Sequence, residues 1–232
     1  MAKRGTKGRD VVQMPAEKNY YVGEILADAA FRVGERHPGG DGPWKLEADK
    51  VAWRDPATGM DCIIRRAPYG GYLCGYVAVQ PGHPLFGFEG DALEALGVRP
   101  HGGVNHGAPC EELESEPYSV CHVSERSGAS RRNRARASAA AGFDRQHDDA
   151  WWFGFSCDKP GDLQPTRPDA PASVRGSRVG LKNVYRDENY VLAHVIDLAA
   201  QLHAIGHGLD LPTPSAPAAP PCGLDPDSMG EL

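Results

Sequence analysis

The run Asp149-Ala150-Trp151-Trp152-Phe153-Gly154-Phe155-Ser156-Cys157-Asp158-Lys159-Pro160-Gly161-Asp162 decides how the rest of the chain is read. Four of the five residues from Trp151 to Phe155 are aromatic, and they lead straight into a polar Ser-Cys-Asp-Lys turn. Trp and Phe bury more apolar area than other side chains and are favoured in strands, so the run reads as a β-strand lying across the core. Functional groups would then be delivered at its carboxyl end.

Working outward, an earlier block gives three more strands. Val51-Ala52-Trp53, Met60-Asp61-Cys62-Ile63-Ile64-Arg65 and Tyr72-Leu73-Cys74-Gly75-Tyr76-Val77-Ala78-Val79 are rich in β-branched and aromatic residues and are separated by Pro/Gly turns, the pattern of antiparallel neighbours. Gly75 inside the third run marks a bulge or a close backbone approach. Downstream, Asp187 stands as an N-cap for a helix whose Val191, Val195, Leu198, Leu202 and Ile205 form an apolar stripe ending at Gly206 and Gly208. His194 and His203 are expected at its solvent side or beside the stripe. Near the start, Val22, Ile25, Leu26, Ala29, Ala30 and Val33 recur at helical spacing and predict a further amphipathic helix. Between positions 80 and 110 the chain is Pro/Gly-rich, with one short helical segment from Asp91 to Leu96.

The expected fold class is α+β: a small antiparallel sheet packed against an N-terminal and a long C-terminal helix, with long irregular loops. A single domain over residues 18–208 is expected, interrupted at 124–148 by a flexible Arg/Ala/Ser insertion. A flexible basic arm over 1–17 would precede it and a disordered Pro-rich tail over 209–232 would follow. The length of 232 residues suffices for one real core, while 28 Gly and 20 Pro require extensive loops.

A net charge of −6 argues against wholesale binding to nucleic acid or to an anionic membrane, both of which rely on an excess of Lys and Arg. Arg126, Arg131, Arg132, Arg134 and Arg136 lack the interleaved aromatics that stack on bases and read as a solvated loop. No apolar run approaches the roughly 20 residues that span a bilayer, and the basic N-terminus lacks the apolar stretch of an export signal. The expectation is a cytoplasmic protein with no membrane partner. Cys62, Cys74, Cys110, Cys121, Cys157 and Cys222 contain no CxxC pair, so reduced thiols are expected rather than a disulfide framework.

Chemistry-bearing residues gather in Gly/Pro loops beside predicted strands: Pro81-Gly82-His83-Pro84, His101-Gly102-Gly103-Val104-Asn105-His106, Cys121-His122-Val123, and the turn from Ser156 to Asp162. Imidazole, thiolate and carboxylate are the common zinc ligands, and imidazole is the common general base near neutral pH. The spacing matches no metal signature, and no nucleophile elbow, P-loop or dinucleotide fingerprint follows a strand. Cys157 could be a small buried residue, a ligand, or a nucleophile activated by His101 or His122.

The pieces Gly71-Tyr72-Leu73-Cys74-Gly75-Tyr76-Val77, Pro81-Gly82-His83-Pro84, His101-Gly102-Gly103, Cys121-His122-Val123, Trp151-Trp152-Phe153-Gly154-Phe155 and Tyr185-Arg186-Asp187-Glu188-Asn189-Tyr190-Val191, in that order, make the chain resemble an uncharacterised group of small proteins encoded by bacteriophages and prophages. In that group the turn after the aromatic strand tends to read Phe-Asp-Cys-x-His-x-x-Asp. Here Ser156 replaces the Asp and Lys159 the His, whereas Cys157 and Asp162 remain. If the group holds a metal with that Asp and His, two ligands are missing here. The long insertion before the strand also departs from the group.

Two expectations follow. One is a phage- or prophage-type accessory protein whose His83, His101, Gly102, Gly103, His122, Cys157 and Asp162 line a polar pocket for a small ligand or a host protein. The other is a metal-assisted hydrolase of a nucleotide or phosphoester, with His83, His101, Cys157 and Asp162 around a possible zinc ion. Both require the loops to meet at the carboxyl end of the Trp-Trp strand.

Overall fold

A computed structural model describes residues 11–13, 19–111, 114–121, 149–167 and 183–217. It is an α+β fold. Nine strands and two α-helices are present among these residues: β1 (Val11–Gln13), β2 (Tyr21–Val22), β3 (Ile25–Leu26), β4 (Ala29–Val33), β5 (Lys50–Arg54), β6 (Asp61–Arg66), β7 (Leu73–Val79), α1 (Asp91–Ala95), β8 (His106–Pro109), β9 (Trp151–Ser156) and α2 (Glu188–Gly206). Seven strands form one antiparallel sheet in the order β1-β4-β5-β6-β7-β9-β8, and β2 and β3 form a separate hairpin.

Strand periodicity assigns the two faces. Val51 and Trp53 of β5, Cys62 and Ile64 of β6, Val77 and Val79 of β7, and Phe153 and Phe155 of β9 share one core with Val191, Val195, Leu198 and Leu202 of α2. The alternate residues Ala52, Ile63, Cys74, Tyr76, Ala78 and Trp152 form a second core with Cys110 and Val120 on the far face. Each interior strand is therefore covered on both sides, which is why all seven residues of β7 are buried. The aromatic strand does lie across the core: Trp152, Phe153 and Phe155 are almost completely shielded from solvent.

Gly75 is explained by the helix above it. A Cβ there would lie 2.5 Å from Val195 Cγ2 and 2.7 Å from Phe155 Cε1, so the hydrogen of glycine lets α2 settle on β7. Gly75→Ala is expected to cost about 1–3 kcal/mol through overpacking, read as a lower urea midpoint at unchanged slope. A wild-type midpoint would mean that α2 can move away without loss.

The predicted N-terminal helix is not formed. Its apolar residues lie instead on the β2–β3 hairpin and on β4. Gly23 turns the hairpin at φ +57, and Asp28 N donates to Ala52 O at 2.8 Å. On β4 the period is two: Ala30 joins the core under α2, while Phe31 and Val33 pack with Tyr118 on the other face. Ladder bonds to β5 replace the helical ones.

Within the expected N-terminal arm, Val11–Gln13 pair with β4. Within the expected tail, residues 209–217 return along α2, where Ser215 N and Oγ donate to the Asp197 carboxylate at 2.8 and 2.9 Å. The insertion at 124–148 and residues 218–232 lie outside the described residues. Cys62, Cys74 and Cys157 are free thiols, but the expectation of reduced thiols is corrected at Cys110 and Cys121, which form a disulfide across a Cα separation of 5.1 Å. No helix among the described residues is long and apolar enough to cross a membrane.

Candidate functional site

The turn that leaves β9 meets the start of α2 and the His101 loop. As the sequence predicts, Asp187 caps α2, its carboxylate accepting from Tyr190 N at 2.9 Å. Capping sets the helix entry, and it brings Arg186 and Tyr190 against the end of the sheet.

His101 is buried with both ring nitrogens engaged. Nε2 lies 2.7 Å from Asp162 Oδ2, and Nδ1 lies 2.8 Å from the Tyr190 hydroxyl. An ionised carboxylate can only accept, so Nε2 carries the proton and, in the neutral ring, Nδ1 accepts from the Tyr190 O–H. Asp162 is the hub of the cluster: its Oδ1 accepts from Arg186 Nε at 2.8 Å and its Oδ2 from Lys159 N at 2.9 Å. The Arg186 guanidinium also lies over the Tyr190 ring, 4.7 Å from its centroid. Three chain segments are pinned together by one carboxylate and one imidazole.

His194 closes the apolar side. Of the two places expected for it, the solvent side of α2 or beside the stripe, it takes the second and is buried, with its ring 4.7 Å from Tyr190, 5.8 Å from Phe155 and 5.9 Å from His101. Burial, with the His101 imidazole beside it, lowers its pKa to about 4, so the ring is neutral.

Two glycines shape the rim. Gly102 is exposed at φ +65, and a Cβ there would come within 2.5 Å of Lys159 Cγ; Gly103 follows at φ +85. The Lys159 side chain therefore crosses the backbone of Gly102 and reaches the opposite face of β9. There Ser156 Oγ donates to Asp158 Oδ1 at 2.7 Å and accepts from Asn105 Nδ2 at 2.5 Å, with Lys159 Nζ at 3.5 Å.

Of the candidate residues, His101, Gly102, Gly103, Cys157 and Asp162 gather at the carboxyl end of β9. His83 does not. Its Nδ1 accepts from Leu85 N at 3.1 Å and its Nε2 donates to Leu202 O at 2.9 Å. Twelve residues of α2 separate Leu202 from Tyr190, about 18 Å at 1.5 Å per residue, so His83 and His101 mark opposite ends of the helix. His122 lies outside the described residues.

Cys157 is present but chemically quiet. It packs in the core under α2, and burial, reinforced by the Asp162 charge, pushes its thiol well above the usual range. A protonated, enclosed thiol is neither a ready metal ligand nor a nucleophile. Among the described residues no group of three or more His, Cys, Asp or Glu is placed to hold a metal ion. The expected set of His83, His101, Cys157 and Asp162 is thus not assembled into one site.

Sequence reading missed Tyr190 and Arg186 as partners. Their only signal is the dense charged and aromatic run from Tyr185 to Tyr190 at a helix start. It also missed a second buried network beside them. Arg66 is fully enclosed and donates to Asp49 Oδ1 (2.7 Å), Glu47 Oε2 (2.9 Å), Gly71 O (2.8 Å) and the Tyr185 hydroxyl (2.9 Å). The Tyr185 hydroxyl in turn donates to Glu47. Glu188 joins through its backbone N, which donates to Glu47 Oε1 at 3.1 Å, while its carboxylate accepts from the Tyr20 hydroxyl at 2.6 Å.

What this fold and site define is an α+β protein with a two-sided antiparallel sheet and a polar cluster at one end of its aromatic strand. No protein-family model, curated protein or solved structure matches the chain.

Proposed function

We propose that this is a phage- or prophage-type accessory protein acting in the cytoplasm of a bacterial host. In this reading the rim around His101 binds a small polar ligand or a host protein without turnover. One observation carries it: both nitrogens of His101 and both oxygens of Asp162 are committed to the protein's own groups. A general base or a metal ligand needs a lone pair directed outward. These residues instead hold the loop, the turn and the helix start in register. Gly102 and Gly103, with the aliphatic chain of Lys159 beside them, form the surface a partner would meet.

Elemental analysis of the full chain, purified without chelator, tests the reading, together with phosphoester assays and a thermal-shift screen of polar metabolites. The expected result is less than stoichiometric metal, no hydrolysis, and ligand-induced stabilisation that is abolished in a Gly102→Trp variant. Stoichiometric zinc that disappears in His101→Ala, accompanied by turnover of a phosphoester, would overturn it in favour of the metal-assisted hydrolase.

A further inference from the structure

Away from the His101 cluster, the far face of the sheet carries a buried lysine held by backbone carbonyls. Lys50 stands at the start of β5 and is completely shielded from solvent. Its hydrogen-bond acceptors among the described residues are two backbone carbonyls, Glu116 O and, at 2.7 Å, Cys121 O. Both belong to the segment that follows β8 and is closed by the Cys110–Cys121 disulfide.

The same segment covers two arginines. Arg65 Nη1 donates to Tyr118 O at 2.7 Å and to Glu111 Oε2 at 2.8 Å, and Arg36 Nη1 donates to Tyr118 O at 3.2 Å. Val120 N closes the inner turn on Glu111 Oε2 at 2.9 Å. Three cations thus face the carbonyls of a strap tied by one covalent link, with the carboxylates of Glu111, Glu114 and Glu116 on the same strap close enough to act on them. A buried ammonium needs every acceptor it has, because enclosing a charge without partners costs several kcal/mol. Anything that lets the strap drift removes both acceptors of Lys50 together.

We propose that the Cys110–Cys121 disulfide is a redox latch: intact, it holds the strap over Lys50; reduced, it releases the strap and opens Lys50 and Arg65 to solvent while the rest of the sheet stays folded. The co-reactant is a dithiol reductant. One of its thiolates attacks Sγ of Cys121, the more exposed of the pair, forming a mixed disulfide and expelling Cys110 as a thiolate. The second thiolate of the reductant then displaces Cys121. Two electrons and two protons pass to the protein, and the reductant leaves as its own disulfide.

The test is amine acetylation of the full chain with and without dithiothreitol, read per lysine by mass spectrometry with exposed Lys45 as the internal reference. Alkylation of Cys62 is followed alongside, since this free thiol is fully buried in the core under α2 and away from the strap. Reduction is expected to add two countable thiols, to raise Lys50 labelling about tenfold or more relative to Lys45, and to leave Cys62 unreactive, as local opening requires. A Cys110→Ser/Cys121→Ser variant is expected to show the high Lys50 labelling without reductant. The latch is overturned if Lys50 stays protected in the fully reduced protein or in the double variant. It is equally overturned if Cys62 becomes reactive in step with Lys50, because the disulfide would then be a staple of the whole fold.

Discussion

Replacing Arg66 with Met is expected to destabilise the protein by about 3–5 kcal/mol, the range seen when one partner of a buried ion pair is removed. The reason is geometric. The guanidinium has five N–H donors, and Asp49, Glu47, Gly71 O, Tyr185 and, at 3.4 Å, Ala48 O supply five acceptors around it. Met fills similar volume but leaves the carboxylates of Glu47 and Asp49 enclosed without their cation. Asp49 keeps Val33 N, 2.7 Å from Oδ2, and His37, 2.9 Å from Oδ1, but no guanidinium. The network joins the segment before β5, the end of β6 and the entry to α2, so its loss separates the sheet from its covering helix. Urea unfolding of Arg66→Met and Arg66→Lys checks this. Lysine restores the charge with three donors in place of a planar fork, so its loss should be smaller. Equal midpoints for both variants and the parent chain would show that the network contributes nothing.

The second large effect is a dependence on pH. Burial, foremost, with the neighbouring charge of Glu47, raises the Glu188 carboxyl from 4.5 to about 7, although the Tyr20 hydroxyl, Ala48 N and Arg66 pull the other way. With the folded-state value raised, the folded chain keeps a proton that the unfolded chain releases above pH 4.5. The corresponding stability is fully present below that pH and is lost as pH rises through about 7. The window is worth on the order of 3 kcal/mol at 1.36 kcal/mol per unit. Glu188→Gln should therefore match the parent chain near pH 5 and exceed it near pH 8. The difference between the two proteins isolates Glu188 from His194, whose lowered pKa acts in the opposite sense at acid pH. Parallel stability curves from pH 5 to 8 would show that Glu188 does not titrate there.

The sheet was legible where one residue type dominates a run. β5, β6, β7 and β9 follow from alternating β-branched and aromatic residues between Pro/Gly turns, and α2 follows from an Asp cap and a period of 3.6. The segment from Val22 to Val33 was misread because its apolar spacing satisfies a helix stripe and a hairpin followed by a strand equally well. Pairing with β5 and the left-handed turn at Gly23 settle it, and neither is visible locally. The residue types of the site were readable, its partnerships were not. His101 and Asp162 stood out as loop imidazole and carboxylate, but 61 positions separate them, and Tyr190 lies another turn of chain away on α2.

By itself, then, the sequence determined the aromatic strand, its antiparallel neighbours and the capped helix, because hydrophobic period and capping act over a few residues. Tertiary structure alone decided that His101 meets Asp162 while His83 is carried to the far end of α2. It alone also paired Cys110 with Cys121 and enclosed Arg66 and Lys50. Those outcomes depend on which strand lies beside which, and the free energy that selects a sheet order is the burial of both its faces at once.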